Sequence, residues 1–220
     1  MGLALRYNLF YSVEAEQVYQ ALASFWAQRH CRLRTTPLQP PRGAYTLYEP
    51  RADWTLLDWD GGWEWELRRQ AQLHVSRVLG CAGLLVFVYD GDYWGYEVFY
   101  AGVAVDHFVQ DSAATGWFPG YDCSGRPHVL AAQFPGAHLR PADIATYLTP
   151  IPENWDTDLE WNRPARTGDE FSRGDECAVV DFLRMLGVGV ELRDDGNGRR
   201  RVTPTATRRI AFELISSDEP

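Results

Sequence analysis

The chain has 220 residues, 45% of them hydrophobic and 14% aromatic, with a formal net charge of −9. Nine Trp, eleven Tyr and ten Phe supply the bulk for a substantial core, which excludes a wholly disordered chain. No apolar run approaches the roughly 20 residues that cross a bilayer, and an acidic chain gains no general attraction to phosphate backbones or anionic lipid, so membrane and nucleic acid are disfavoured partners.

Residues 3–11 alternate, with Leu3, Leu5, Tyr7, Leu9 and Tyr11 on one face and Arg6 and Asn8 on the other, the pattern of a half-buried strand. Ser12 reads as the N-cap of a helix from Val13 to about His30, whose inward face carries Val18, Ala21, Leu22 and Phe25. Cys31–Thr36 follows, then a loop marked by Pro37, Pro40, Pro41 and Gly43, then two strands at Ala44–Tyr48 and Trp54–Trp59. A second helix runs from about Trp63 to Leu79, with Leu67, Ala71, His74, Val75 and Val78 as its apolar face and Gly80 as its stop signal.

Ala82–Tyr89 is almost continuously apolar, as expected of a central strand covered on both faces. The Asp90-Gly91-Asp92 turn, a strand at Trp94–Tyr100, the Ala101-Gly102 turn and a strand from Val103 to Val109 complete an antiparallel meander. Beyond Asp111 the texture becomes loop-rich. Short helices are expected at Pro127–Phe134 and Pro141–Leu148, irregular chain at Thr149–Glu170, and a helix at Asp175–Leu186. A hairpin joins Val188–Leu192 to Arg200–Thr203 across Asp194–Gly198, and Arg208–Ile215 is the last strand.

The fold class is therefore α+β. An antiparallel sheet in β-α-β-β-β then α-β-β-β order, packed by two helices, occupies residues 1–111. A loop-rich helical extension with a C-terminal hairpin occupies 112–220 and packs on the first part as one domain. Regular βαβ alternation is missing, which argues against a Rossmann-type sheet.

Every basic residue besides His is Arg, and there is no Lys. GC-rich coding explains this together with the abundant Ala, Gly and Pro; selection against modification of lysine amines is the sharper alternative. Either way, Lys Schiff bases, Lys general bases and a Walker-A lysine are excluded. Arg199, Arg200 and Arg201, with Arg208 and Arg209, form one local basic run, read as solvated strand and turn charges. Cys31, Cys81, Cys123 and Cys177 lie far apart with no CxxC, which excludes a zinc ribbon or finger. The first residues lack a basic region followed by an apolar stretch and cleavage site, so the chain reads as cytoplasmic, with reduced thiols.

Catalytic signatures are sparse. There is no GxSxG, SxxK, HExxH or phosphate loop, and no cofactor or metal is implied. His107 follows Asp106 in a strand, so the two point to opposite faces, and His107 groups with Val103, Val105 and Val109 as a structural histidine. His74 reads the same way on its helix. Cys123 lies in a loop near Arg126 and His128, where an electropositive setting would activate a thiol, but the plainer reading is an inert loop cysteine. Asp90 and Asp92 have the spacing of a cation-binding carboxylate pair, but also that of a plain turn. Asp194–Gly198 shares letters with a calcium loop and lacks its Glu at the twelfth position.

The tryptophans are the most unusual feature. Trp59, Trp63 and Trp65 lie among acids, as do Trp155 and Trp161, and aromatic side chains among carboxylates suit cation stacking or protein-interface anchoring as well as an ordinary core. With Asp90, Asp92 and Trp94 they are the candidate binding residues. The expectation is a non-catalytic bacterial binding protein of the immunity type, neutralising a basic protein partner through an acidic, Trp-rich surface. The alternatives are an enzyme using Asp90, Asp92, Cys123, His128 and His138, or a small-ligand sensor with an aromatic pocket lined by Trp94 and Tyr96.

Overall fold

A computed structural model describes residue 3 and residues 5–36, 45–50, 53–59, 65–89, 91–116, 120–194 and 200–216. In chain order the elements are β1 (Leu5–Tyr11), α1 (Ala15–Ala27), β2 (Cys31–Thr35), β3 (Tyr45–Pro50), β4 (Trp54–Trp59), α2 (Trp65–Leu79), β5 (Ala82–Tyr89), β6 (Tyr93–Tyr100) and β7 (Val103–Val109). They continue with α3 (Pro127–Gln133), α4 (Pro141–Ala145), α5 (Ala178–Met185), β8 (Val190–Asp194), β9 (Arg200–Pro204) and β10 (Ala206–Ser216). The class is α+β, and the expected β-α-β-β-β, α-β-β-β order is followed element for element. The sheet has eight strands in the order β2-β10-β3-β4-β1-β5-β6-β7, and β8 and β9 form a separate two-stranded hairpin.

The hairpin does not end the fold. β10 leaves it and lies antiparallel between β2 and β3, with Phe212 opposite both Thr35 and Tyr45. The sequence reading placed this strand in the extension, because alternation identifies a strand and not its neighbours. By internal contacts the chain forms two units: Arg6–Leu85 with Phe99–Ala104 and Pro204–Pro220, here the α1–α2 unit, and Met1–Leu5 with Val86–Val98 and Val105–Thr203, here the α3–α5 unit.

In the α1–α2 unit, Phe10, Leu47, Leu57, Trp59 and Phe212 from the sheet pack with Val18, Leu22, Phe25 and Trp26 of α1 and Ala71 and Val75 of α2. Three expectations change here. First, α1 begins at Ala15 rather than Val13. Ser12 has φ +58° and its N–H donates to the Asp53 carbonyl at 2.6 Å, so it turns the chain and does not cap it. The Glu14 N–H donates to Gln17 Oε1 at 3.1 Å, and the first helical N–H, on Ala15, is satisfied by Glu49 Oε1 from β3, also at 3.1 Å.

Second, β1 is not half-buried: Asn8 is buried as completely as Leu9. Third, the buried stripe of α2 is rotated from the expected apolar face. Arg68, Gln72 and Ser76 go inward beside Ala71 and Val75, while Val78 is exposed. The two changes have one cause. Asn8 Nδ2 donates to Gln72 Oε1 at 2.7 Å and to the Arg68 carbonyl at 3.3 Å, and Gln72 Nε2 donates to the Leu9 carbonyl at 3.0 Å. Buried polar groups that bond each other avoid the desolvation penalty that would otherwise force them out.

Gly83 on β5 makes room for this bridge, since a Cβ there would stand 2.1 Å from Gln72 Nε2. At the far end of the stripe, Ser76 Oγ accepts the Gly102 N–H at 2.9 Å; Gly102 has φ +82°, and a Cβ on it would stand 2.5 Å from Arg77 Cβ.

In the α3–α5 unit, Trp94 and Tyr96 of β6 pack on Phe182 of α5, with ring centroids 4.8 and 5.8 Å away, and on Phe108 of β7. β7 departs from the expected pattern in part: Val109 is buried as expected, but the opposite face is buried as well. Asp106, Phe108 and Gln110 are buried and Val103 is exposed. Asp106 accepts the Tyr96 hydroxyl at 2.9 Å and the Arg126 backbone N–H at 3.0 Å, and pairs with Arg126 Nε at 3.0 Å. A carboxylate with this many donors tolerates burial better than the valine alternation predicts.

Substituting Gly83→Ala should displace Gln72 and lower the unfolding free energy by about 3 kcal/mol, and Gly102→Ala should cost a similar amount, of order 2–3 kcal/mol. Gly116→Ala, with open space around its Cα, should stay within about 0.5 kcal/mol of the parent. Guanidinium denaturation of the three variants checks this ranking.

Candidate functional site

Between Pro152 and Trp161 the chain carries Glu153, Asp156, Asp158 and Glu160 and no basic residue. This segment lacks a regular helix, yet its backbone is ordered by helical-type turns. The Asp158 N–H donates to the Asn154 carbonyl at 2.9 Å, and the Asn162 N–H to the Asp158 carbonyl at 3.1 Å. Asp158 Oδ1 in turn accepts the backbone N–H groups of Glu160 and Trp161 at 2.8 and 3.0 Å. Two of the four acids are thus engaged locally: Asp158 is committed to the turn itself, and Glu160 pairs with Arg163 Nη1 at 2.8 Å.

The underside is fastened by Trp161 and Arg173. Trp161 is buried against Gly174, whose N–H donates to the Trp161 carbonyl at 3.2 Å, and the Arg173 N–H donates to the Arg163 carbonyl at 3.0 Å. The Arg173 side chain donates to the Glu160 carbonyl at 2.7 Å and the Thr146 carbonyl at 3.1 Å, while its own carbonyl accepts Gln110 Nε2 at 3.1 Å. Asp181 of α5 accepts the backbone N–H groups of Glu170 and Phe171 at 2.8 and 2.9 Å; burial raises its carboxyl above the ordinary carboxylate value. On the surface so held, Trp155 is 57% and Leu159 72% exposed, four residues apart and among acids.

The other candidate binding residues are dispersed. Trp59 is buried in the α1–α2 core and Trp94 in the α3–α5 core, so neither ring is presented to a partner. Trp161 is buried too and supports the acidic turns from beneath. Trp65 is half-buried at the first position of α2. Asp92 is exposed in the β5–β6 turn, where its N–H donates to the Tyr89 carbonyl at 2.9 Å and Gly91 has φ +79°. Trp63 and Asp90 lie outside the described residues. Among the described residues, Trp155 is thus the candidate tryptophan that the structure leaves most open among carboxylates.

A polar cluster whose members the sequence did not bring together lies on the other face of β6 and β7. Glu97 is buried and accepts the Tyr121 hydroxyl at 2.6 Å. The Tyr121 ring lies 5.1 Å from the half-exposed imidazole of His107, whose Nε2 is 3.7 Å from Asp122 Oδ2. Ser124 donates to Asp122 Oδ1 from both Oγ, at 2.5 Å, and its backbone N–H, at 2.9 Å, and these bonds hold the Asp122 carboxyl below its ordinary value.

Ser, Asp and His therefore meet here, but in an order that does not activate the hydroxyl. Asp122 stands between Ser124 and His107, whereas a nucleophilic triad needs the imidazole in the middle to take the serine proton. The one available signal in the sequence was a Glu placed inside an otherwise aromatic strand.

Of the enzyme candidates, Asp90 lies outside the described residues. His128 and His138 are exposed, and among the described residues no three His, Cys, Asp or Glu side chains converge to hold a metal ion. The setting of Cys123 is the opposite of the electropositive one considered from sequence: burial, then Asp111 and Asp122, push its thiol above the ordinary value. Burial also raises the Cys81 thiol to about 11 and the Cys177 thiol to about 12, the latter despite a bond from Arg200 at 3.2 Å. Comparison with protein-family models, curated proteins and solved structures gives no match for this chain.

Iodoacetamide at pH 8 should alkylate Cys123 more slowly than a free thiol of ordinary pKa and leave Cys81 and Cys177 untouched until the chain unfolds; mass mapping of the labelled peptides reads this directly. A pH effect follows from His74, whose Nε2 lies 2.7 Å from Ser24 Oγ. Burial first, then the guanidiniums of Arg29 and Arg77, hold its imidazole below the ordinary 6.5. The unfolded chain therefore takes up this proton first, and stability should fall as pH drops through about 6.5 toward the lower folded value. Denaturation midpoints at pH 8 and pH 5.5 should differ less in His74→Gln than in the parent.

Proposed function

We propose that this chain is a non-catalytic binding protein that captures a basic protein partner, in the manner of a bacterial immunity protein neutralising a cationic toxin. The observation that carries the reading is the exposure of Trp155 and Leu159 on ordered turns whose remaining charges between Pro152 and Trp161 are all negative. Large apolar anchors in a polar rim are the usual source of binding energy at protein interfaces, and a tryptophan face also accepts a guanidinium or ammonium group. Charge adds speed and selectivity. A body of net charge −9 attracts a cationic partner from a distance and repels acidic ones. Because the turns are held by Trp161 and Arg173, little ordering entropy would be lost on docking.

The four cysteines are free thiols, which suits a reducing compartment and supports placing this activity in the cytoplasm.

The test is to recover the partner on the intact chain and measure its affinity by calorimetry. Trp155→Ala should weaken binding about thirtyfold, the equivalent of about 2 kcal/mol, and Leu159→Ala should weaken it less. Replacing Glu153 and Asp156 together by Gln and Asn should slow association and flatten its dependence on salt while leaving dissociation nearly unchanged. A partner whose affinity ignores all three changes would refute this surface, and a partner of acidic character would refute the reading as a whole.

A further inference from the structure

Charge is divided unequally between the two units. The α3–α5 unit holds nineteen Asp and Glu against ten Arg, whereas the α1–α2 unit holds eleven acids and eleven Arg. The whole of the net charge of −9 therefore belongs to the unit that presents Trp155 and Leu159. The four carboxylates around that surface are not equivalent. Asp158 bonds the backbone N–H groups of Glu160 and Trp161, and Glu160 is paired with Arg163. Glu153, two residues before Trp155, and Asp156, directly after it, are exposed and bond no described residue.

The indole stands on backbone that is held at both of its polar groups. The Trp155 N–H donates to the Pro152 carbonyl at 3.2 Å, and the Trp155 carbonyl accepts Asn162 Nδ2 at 3.4 Å. Elsewhere the chain shows how one cation can satisfy an aromatic face and lateral acceptors together. The Arg29 guanidinium lies 3.7 Å from the centroid of the Phe25 ring, while its nitrogens donate to the Phe25 carbonyl at 3.1 Å and to Gln70 Oε1 at 2.8 Å. A guanidinium does both because its donors lie in its own plane and leave its faces free to stack. An ammonium is a compact point charge that keeps its water more tightly.

Resting on the reading of Trp155 as the anchor for a basic partner, we propose that the group it receives is the guanidinium of a partner arginine, laid flat on the indole while its in-plane nitrogens bond Glu153 or Asp156. An exposed indole with two uncommitted carboxylates next to it in the chain offers at once the two kinds of contact that an arginine makes and a lysine does not. Leu159, also exposed, offers apolar surface to the methylene stem of the same side chain. The surface thus selects partners by arginine and not by positive charge alone, while the excess of acids in the α3–α5 unit directs the approach.

The experiment titrates the full chain with N-acetylarginine amide and, separately, with N-acetyllysine amide, and follows the indole N–H resonances, that of Trp155 being identified by its loss in Trp155→Phe. The arginine compound is expected to move the Trp155 resonance and to bind at least about fivefold more tightly than the lysine compound, and Glu153→Gln with Asp156→Asn should remove most of that difference. Equal affinity for the two compounds, or a Trp155 resonance that does not move, would overturn the proposal. The reading beneath it fails by a different result, a recovered partner whose affinity ignores Trp155→Ala. A partner that needs Trp155 but binds equally well after its arginines are changed to lysine leaves that reading standing and refutes the guanidinium.

Discussion

The side-chain amide of Gln72 is bonded at both ends, to Asn8 through its oxygen and to the Leu9 carbonyl through its nitrogen, and the arrangement of the α1–α2 unit depends on that bridge. It fixes the rotation of α2 about its own axis. With Gln72 inward, Arg68 and Ser76 must follow one turn to either side, and Ala71 and Val75 complete the buried stripe. The same bridge requires a residue without a side chain on β5, which Gly83 supplies, and a partner for Ser76, which the Gly102 N–H supplies. A purely apolar stripe could pack at several rotations; a polar one that must find its donors and acceptors admits far fewer.

The α3–α5 unit uses buried carboxylates for a related purpose. Asp106 gathers Tyr96 and Arg126, and Asp181 gathers the backbone of Glu170 and Phe171 with Arg184. Each serves chain that has little regular hydrogen bonding of its own, and each replaces part of the ladder that a helix or strand would provide. The exposed acids of the Trp155 turns are a different population. Asp158 excepted, they do not organise backbone, and they lie beside the two largest exposed apolar groups of the segment.

The order of elements through residue 109 was legible in the sequence because most strands and helices there have a clear periodicity and several are bounded by Gly, Pro or Asp-Gly turns. Ala82–Tyr89 was legible to the residue. The failures share a cause. Alternation in β1 and β7 assigns the polar side outward, but Asn8 and Asp106 go inward because distant residues, Gln72 on α2 and Tyr96 on β6, supply their partners. No local pattern contains that information. The place of β10 was illegible for the same reason, since its pairing with Thr35 and Tyr45 is a long-range choice. Of the tryptophans, composition revealed that they were numerous among acids; only packing separates Trp155 from Trp161, six residues later in the same acidic stretch.

The position of β10 also has a consequence for how the molecule is made. A ribosome delivers β2 and β3 early and the strand that joins them late, after the whole α3–α5 unit has been synthesised. Until residues 206–216 emerge, β2 and β3 each lack a neighbour, and the aromatic pairing of Tyr45 with Phe212, at 5.4 Å between rings, cannot form. Contacts between segments so far apart close slowly, and incomplete sheets expose edges to other nascent chains. Nascent chains halted before residue 206 would therefore lack the one strand that joins β2 to the six strands on the other side of it.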